Sequence, residues 1–151
     1  MYCKSFLILV MGLTLSFTSC SSDENNPDNA AIQAEIQSNI TSDTWRITSY
    51  IDSGVNETHH FGGYVFTFNS NGTVNANNGT NDYNGTWSIS DSSSDDDSPD
   101  DLDFNINFNL TNDFEDLNDD WDIVSHSATK IVLIDVSGGS GEIDNLTFEK
   151  N

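Results

Sequence analysis

The chain of 151 residues sets 25 acidic side chains against four basic ones, a formal net charge of -21 at neutral pH. So anionic a surface repels nucleic acid and anionic lipid headgroups, which removes both as partners; solubility and attraction for divalent cations remain. The length allows one domain with a real core and is too short for two well-packed ones once the N-terminal segment is set aside.

Lys4 supplies a positive start, Phe6 to Leu15 an apolar run short for a bilayer span, and Thr18-Ser19 the small residues a signal peptidase needs. Phe17-Thr18-Ser19-Cys20 resembles the lipobox of bacterial lipoproteins. That resemblance implies that residues 1–19 are a signal peptide, that the Cys20 thiol takes a diacylglycerol, and that the mature chain begins at Cys20 and meets the membrane through this lipid. Cys3 leaves with the signal peptide, so no thiol remains for a disulfide, a zinc site or a nucleophile.

Residues 20–29 read as lipidated cysteine and acidic tether, because Ser21 to Asn29 is polar, acidic and interrupted by Pro27. Ser21-Ser22-Asp23-Glu24-Asn25 looks like the acidic signal that exports some Bacteroidetes lipoproteins to the outer face of the outer membrane; the alternative is a solvated spacer. Ala30 to Ile40 spaces Ile32, Ile36 and Ile40 four apart, which predicts a short amphipathic helix with Asp28 or Asn29 as N-cap.

From Thr44 the dominant period is two, the period of half-buried strands. Thr44 to Ile51 places Trp45, Ile47 and Ile51 on one face against Arg46, Thr48 and Tyr50. Tyr64 to Phe68 puts three aromatics on one face, and Asn71-Gly72 marks a hairpin before Thr73 to Ala76. Asp82 to Ser90 alternates Gly85, Trp87 and Ile89. Asp101 to Leu110 alternates Leu102, Phe104, Ile106, Phe108 and Leu110 with Asp103 and three asparagines, so one face is core and the other wet. Trp121 to His126 follows, then Lys130 to Val136, apolar on both faces and so expected to be covered on both. Gly138 to Gly141 turns the chain into Ile143 to Glu149, with Leu146 and Phe148 inward. About eight short strands predict an all-β antiparallel sandwich or up-and-down barrel, and the barrel is preferred because it leaves no edges. Asp91 to Asp100 is low-complexity and is expected to be an exposed, mobile loop.

An order of motifs emerges: Thr44-Trp45-Arg46, Phe66-Thr67-Phe68 with Asn71-Gly72-Thr73, Gly85-Thr86-Trp87, Leu117 to Trp121, Ile131 to Leu133, and Leu146-Thr147-Phe148. It resembles the lipocalin-like domain lipoproteins of Bacteroidetes over about Ile32 to Lys150. The resemblance implies a calycin-type barrel over residues 30–151, lipid-anchored in the outer membrane, with the periplasmic and the cell-surface face both left open.

An eight-stranded barrel is just wide enough to be filled by its own side chains or to hold one small ligand. The inward candidates are Trp45, Tyr64, Phe66, Phe68, Trp87, Phe104, Phe108, Trp121 and Phe148, and both outcomes stay open. Tyr50, Tyr64 or His60 could orient a ligand there. His59-His60 would point to opposite faces of a strand and cannot chelate one ion without a turn, and His126 has no partner at fixed spacing. Asp91, Asp95, Asp96, Asp97, Asp100 and Asp101 offer oxygen ligands without the order of a calcium loop, and Asp113, Glu115, Asp116, Asp119, Asp120 and Asp122 form a second acidic stretch. No nucleophile elbow, phosphate-cradling glycine loop or helical His-Glu motif is present, so neither enzyme activity, nor a metal, nor a cofactor is expected. The functional expectation is a membrane-anchored lipoprotein that binds a small apolar ligand or acts as an envelope binding module. The alternative is a packed barrel with a structural or protein-interaction role.

Overall fold

The computed structural model describes residues 27–91, 102–136 and 141–151. Helix α1 (Pro27–Ile40) opens the fold. It begins three residues before the predicted Ala30, inside the stretch expected as tether. Proline suits the first helical position, since its missing N–H would have had no intrahelical acceptor. The Ile stripe behaves as its spacing predicts: Ile36 and Ile40 are fully buried and Ile32 packs against the core from a half-buried position.

Nine strands follow: β1 (Thr44–Asp52), β2 (Val55–Asn56), β3 (Val65–Phe68), β4 (Thr73–Asn77), β5 (Asp82–Asp91), β6 (Leu102–Asn107), β7 (Asp119–His126), β8 (Lys130–Val136) and β9 (Ile143–Lys150). From β3 onward each strand pairs antiparallel with the next, and β1 pairs with both β3 and β9. These pairings close an eight-stranded up-and-down barrel, with the two-residue β2 only extending one end of β1. The all-β barrel with a short N-terminal helix is therefore as expected from the sequence. Closure removes the unpaired edges that an open sheet would expose.

Alternation dictates most of the interior. On β6, Leu102, Phe104 and Ile106 face inward and are buried, and Phe108 just beyond the strand continues the row. Two strands depart from the faces expected of them. In β1 the register against β9 shifts between Ile47 and Ser49, which makes Thr48 the extra residue of a bulge. Beyond it the faces exchange: Tyr50, expected outside, is buried, and Ile51, expected inside, is half-exposed. The second departure is β8. Ile131 and Leu133 are buried, but Val132 and Ile134 are only half-buried and Val136 is 52% exposed, so the outer face is not covered as its apolar composition suggested.

Two glycines carry geometry that a side chain would spoil. Gly72, at φ +81°, closes the β3–β4 hairpin, where its N–H donates to the Asn69 carbonyl at 3.0 Å. Gly85 occupies an inward position of β5, and a Cβ there would sit 2.9 Å from a ring carbon of Phe108 and closer still to the Asn107 carbonyl. Its missing side chain is the space into which the Phe108 ring lies.

The strand directions give the barrel two distinct ends. At the helix end lie α1, the starts of β1, β4, β6 and β8, and the finishes of β3, β5, β7 and β9. At the far end lie β2, a single turn of 3-10 helix over Thr58–Phe61, a second over Glu115–Leu117, and the starts of β5, β7 and β9.

Candidate functional site

The nine residues expected in the lumen are all buried, none more than 7% exposed. They come together in one buried cluster, and their rings pack against one another. Phe68 meets Trp87 at 5.5 Å, Phe104 at 5.6 Å and Phe148 at 5.5 Å between ring centroids, each edge to face. Trp87 stacks on Phe104 at 5.7 Å, and Phe66 meets Phe148 at 5.3 Å. These are the separations at which the quadrupoles of aromatic pairs attract.

The indole N–H groups are directed at backbone. Trp45 Nε1 donates to the Ile40 carbonyl at 2.9 Å, Trp87 Nε1 to Asn69 at 3.0 Å and Trp121 Nε1 to Leu117 at 3.1 Å. Each bond ties the barrel wall to an adjoining segment: the helix, a hairpin, and the loop between β6 and β7. Tyr50 Oη likewise donates to the Asp116 carbonyl at 3.0 Å. Burial, then the charges of Asp52, Asp116 and Asp144, push its phenol well above the ordinary tyrosine range. Tyr64 Oη accepts from Asn81 Nδ2 at 2.9 Å and its ring stacks on Tyr83 at 5.9 Å.

Phe114, which the sequence hides in the second acidic stretch, plugs the far end. Its ring lies 4.9 Å from Tyr64, 4.9 Å from Tyr83, 5.0 Å from Phe108, 5.4 Å from Phe61 and 6.0 Å from Phe66. Only 2% of it is exposed. The loop that carries it is pinned by Asn118, whose Oδ1 accepts from the Phe108 N–H and whose Nδ2 donates to the Phe108 carbonyl at 2.9 Å. Phe61 and Leu117 are buried beside it; Phe61 is not singled out by the sequence, and Leu117 only as the start of a motif. Their signal was a large apolar residue recurring among acids and histidines, at a spacing too short to show a period.

The polar candidates distribute differently. His59 and His60 sit in the 3-10 turn rather than on a strand, so their rings approach to 4.1 Å, and His60 Nδ1 lies 3.7 Å from Asp113 Oδ1. Among the described residues no group of three or more His, Cys, Asp or Glu side chains gathers as a metal site. The second acidic stretch is spread along the far end and the outside of β7. Burial, then the charges of Glu57 and Asp52, raise the Asp116 carboxyl. Burial, then a hydrogen bond with Asp120, raise Asp119 to about 6. Both Asp119 and Asp120 border an open groove of about 610 Å³ on the outer face of the sheet, where Ser88, Asn105 and Asn107 also lie.

Arg46, Lys130 and Lys150 are the basic residues within the described segments, and all three lie at the helix end. Arg46 and Lys130 reach Glu149 at 3.9 and 3.3 Å, and Lys150 reaches Asp43 at 3.3 Å. Asp91 closes β5 and accepts from Asn29 Nδ2 at 3.3 Å. Cys20, the acidic segment after it, and Asp95, Asp96, Asp97, Asp100 and Asp101 lie outside the described residues.

Fold and interior together define a closed antiparallel eight-stranded barrel with a short helix across one end and an aromatic plug in the other. No protein-family model and no curated protein matches the chain. Among solved structures it is similar to a DUF4847 family protein from Bacteroides vulgatus, at 16% identity over 74% of this chain and 94% of that one, with a TM-score of 0.46.

Proposed function

We propose that this chain is a lipocalin-like lipoprotein of the bacterial cell envelope, non-enzymatic, held to the outer membrane by lipid on Cys20, and working as a binding module through its exterior and far end. The observation that carries this reading is the set of five aromatic rings around Phe114, between 4.9 and 6.0 Å, which occupies the mouth where a lumenal ligand would enter. Charge also supports it. The basic side chains Arg46, Lys130 and Lys150 sit at the end where α1 lies, whereas Asp52, Glu57, Asp113 and Asp116 surround the far end. An anchor on the helix side leaves the anionic mouth pointing away from the anionic membrane.

Two measurements test the reading. Titrating the purified protein with a fatty acid, haem or a retinoid should give no saturable quenching of Trp45, Trp87 or Trp121. Saturable quenching at micromolar probe would make the lumen a carrier site instead. Growth in labelled palmitate should label the wild-type chain and leave Cys20→Ala unlabelled. Label retained in that variant would remove the anchor from the proposal. Protease added to intact cells then decides the membrane face, since a periplasmic domain survives until lysis.

A further inference from the structure

A crevice of about 190 Å³ opens at the seam between α1 and strands β6 and β7, outside the aromatic interior. Ile32, Ile36, Leu102, Ile123 and Val124 give it an apolar lining, and Asn29, Ser125 and His126 supply its polar groups. Asn29 is only 5% exposed, so its amide is held inside the seam. Its Nδ2 donates to Asp91 Oδ2, which leaves Oδ1 as the acceptor, and that oxygen is buried with no hydrogen-bond partner among the described residues. His126 Nδ1 is buried and unpartnered in the same way. Buried polar atoms are almost always satisfied, because leaving one unpaired carries its full desolvation cost. Two such atoms, on residues that line one crevice larger than the ~150 Å³ cavity that accepts a benzene-sized molecule, fit a site for a ligand with a polar end.

We propose that this seam binds a short apolar molecule whose polar end donates a hydrogen bond, an alcohol or a primary amine. The Asn29 oxygen requires a donor. A hydroxyl can donate to Asn29 Oδ1 and accept from an Nδ1–H of His126, and an ammonium can donate to either atom. A carboxylate has no proton to offer, and it would approach Asp91 in a chain of net charge -21. The site is separate from the lumen and does not depend on how the chain is anchored.

The test uses hexan-1-ol, hexylamine, hexanoate and methyl pentyl ether, titrated into the purified protein while the Asn29 side-chain amide and the His126 ring are followed by NMR. The alcohol and the amine should shift both resonances saturably, with the ether and the carboxylate at least about tenfold weaker for want of the donor. Tighter binding of the amine that weakens with salt assigns a cationic ligand, whereas equal affinities assign a neutral one; either supports the site. Val124→Phe fills the crevice from a residue that is 56% exposed, so it should abolish binding without disturbing the core. Asn29→Leu should bring the donors down to the level of the ether. Shifts from none of the probes, an ether or carboxylate as tight as the alcohol, or undiminished binding by Val124→Phe would each overturn the proposal.

Discussion

The two ends of this barrel are closed by different chemistry. At the helix end an aliphatic stripe does the work: Ile36 and Ile40 sit on the interior, the Trp45 indole bonds to the helix C-terminus, and Gln33 Nε2 donates to the Ile89 carbonyl at 2.6 Å. At the far end a single aromatic ring on an acidic loop does it, held by Asn118 and by the Tyr50 hydroxyl. A regular element closes one end through a repeating face. An irregular loop closes the other through one side chain and a few directed hydrogen bonds. The far end should therefore concentrate its stability in fewer residues.

The strongest way to break that contrast is Phe114→Ala. Removing a fully packed ring should cost ~3–5 kcal/mol of unfolding free energy in a urea titration. At the helix end Ile36→Ala should cost less, ~2–3 kcal/mol, near the lower part of the range for this substitution, because α1 can settle toward the vacated space. Equal losses at the two sites would mean that the plug is no more concentrated than the helix. Asn118→Ala should come next, at ~1–3 kcal/mol, since it strips both partners from the Phe108 backbone groups it holds. Hydrogen exchange should accelerate at the β6–β7 loop in that variant and stay unchanged in α1.

The same contrast explains what the sequence could disclose. The helix end was legible because Ile32, Ile36 and Ile40 repeat at a helical spacing, and only the start was misplaced, since Pro27 resembles tether as much as first turn. The barrel wall was legible wherever side chains alternate without interruption, as in Leu102 to Phe108. It failed at β1, where one inserted residue at Thr48 exchanges the faces and sends Tyr50 inward. Val132 and Ile134 misled for another reason: apolar composition signals a tolerated surface as readily as a covered one. The nine lumen aromatics could be named because alternation marks them. Phe114 could not, as nothing local distinguishes a plug from an exposed residue among Asp113, Glu115 and Asp116. The Asn29–His126 seam was equally hidden, being assembled from residues 97 positions apart.

The smallest effect is also the one whose sign separates the ends. At the far end Asp119 titrates at about 6, above its ordinary 3.8, with burial the main cause and the hydrogen bond to Asp120 the next. Between those two pH values the folded chain holds a proton that the unfolded chain has released, so unfolding free energy falls as pH rises from 4 through 6. At the helix end Asp43 is shifted the other way, held below 3.8 by the Thr44 N–H and then by Lys150. Its contribution is present above 3.8 and is lost only as pH falls below it. Asp119→Asn mimics the protonated carboxyl. It should match wild type near pH 4, exceed it at pH 7, and flatten the slope between, with a residue of slope left by Asp116. Asp43→Asn should lower stability at pH 7 and leave that slope alone. Midpoints of urea unfolding at pH 4, 5, 6 and 7 suffice for the comparison. Because the net charge of -21 adds a background slope common to all variants, the decisive quantity is the difference from wild type at each pH. An Asp119→Asn curve parallel to wild type from pH 4 to 7 would show that the far end does not strain Asp119.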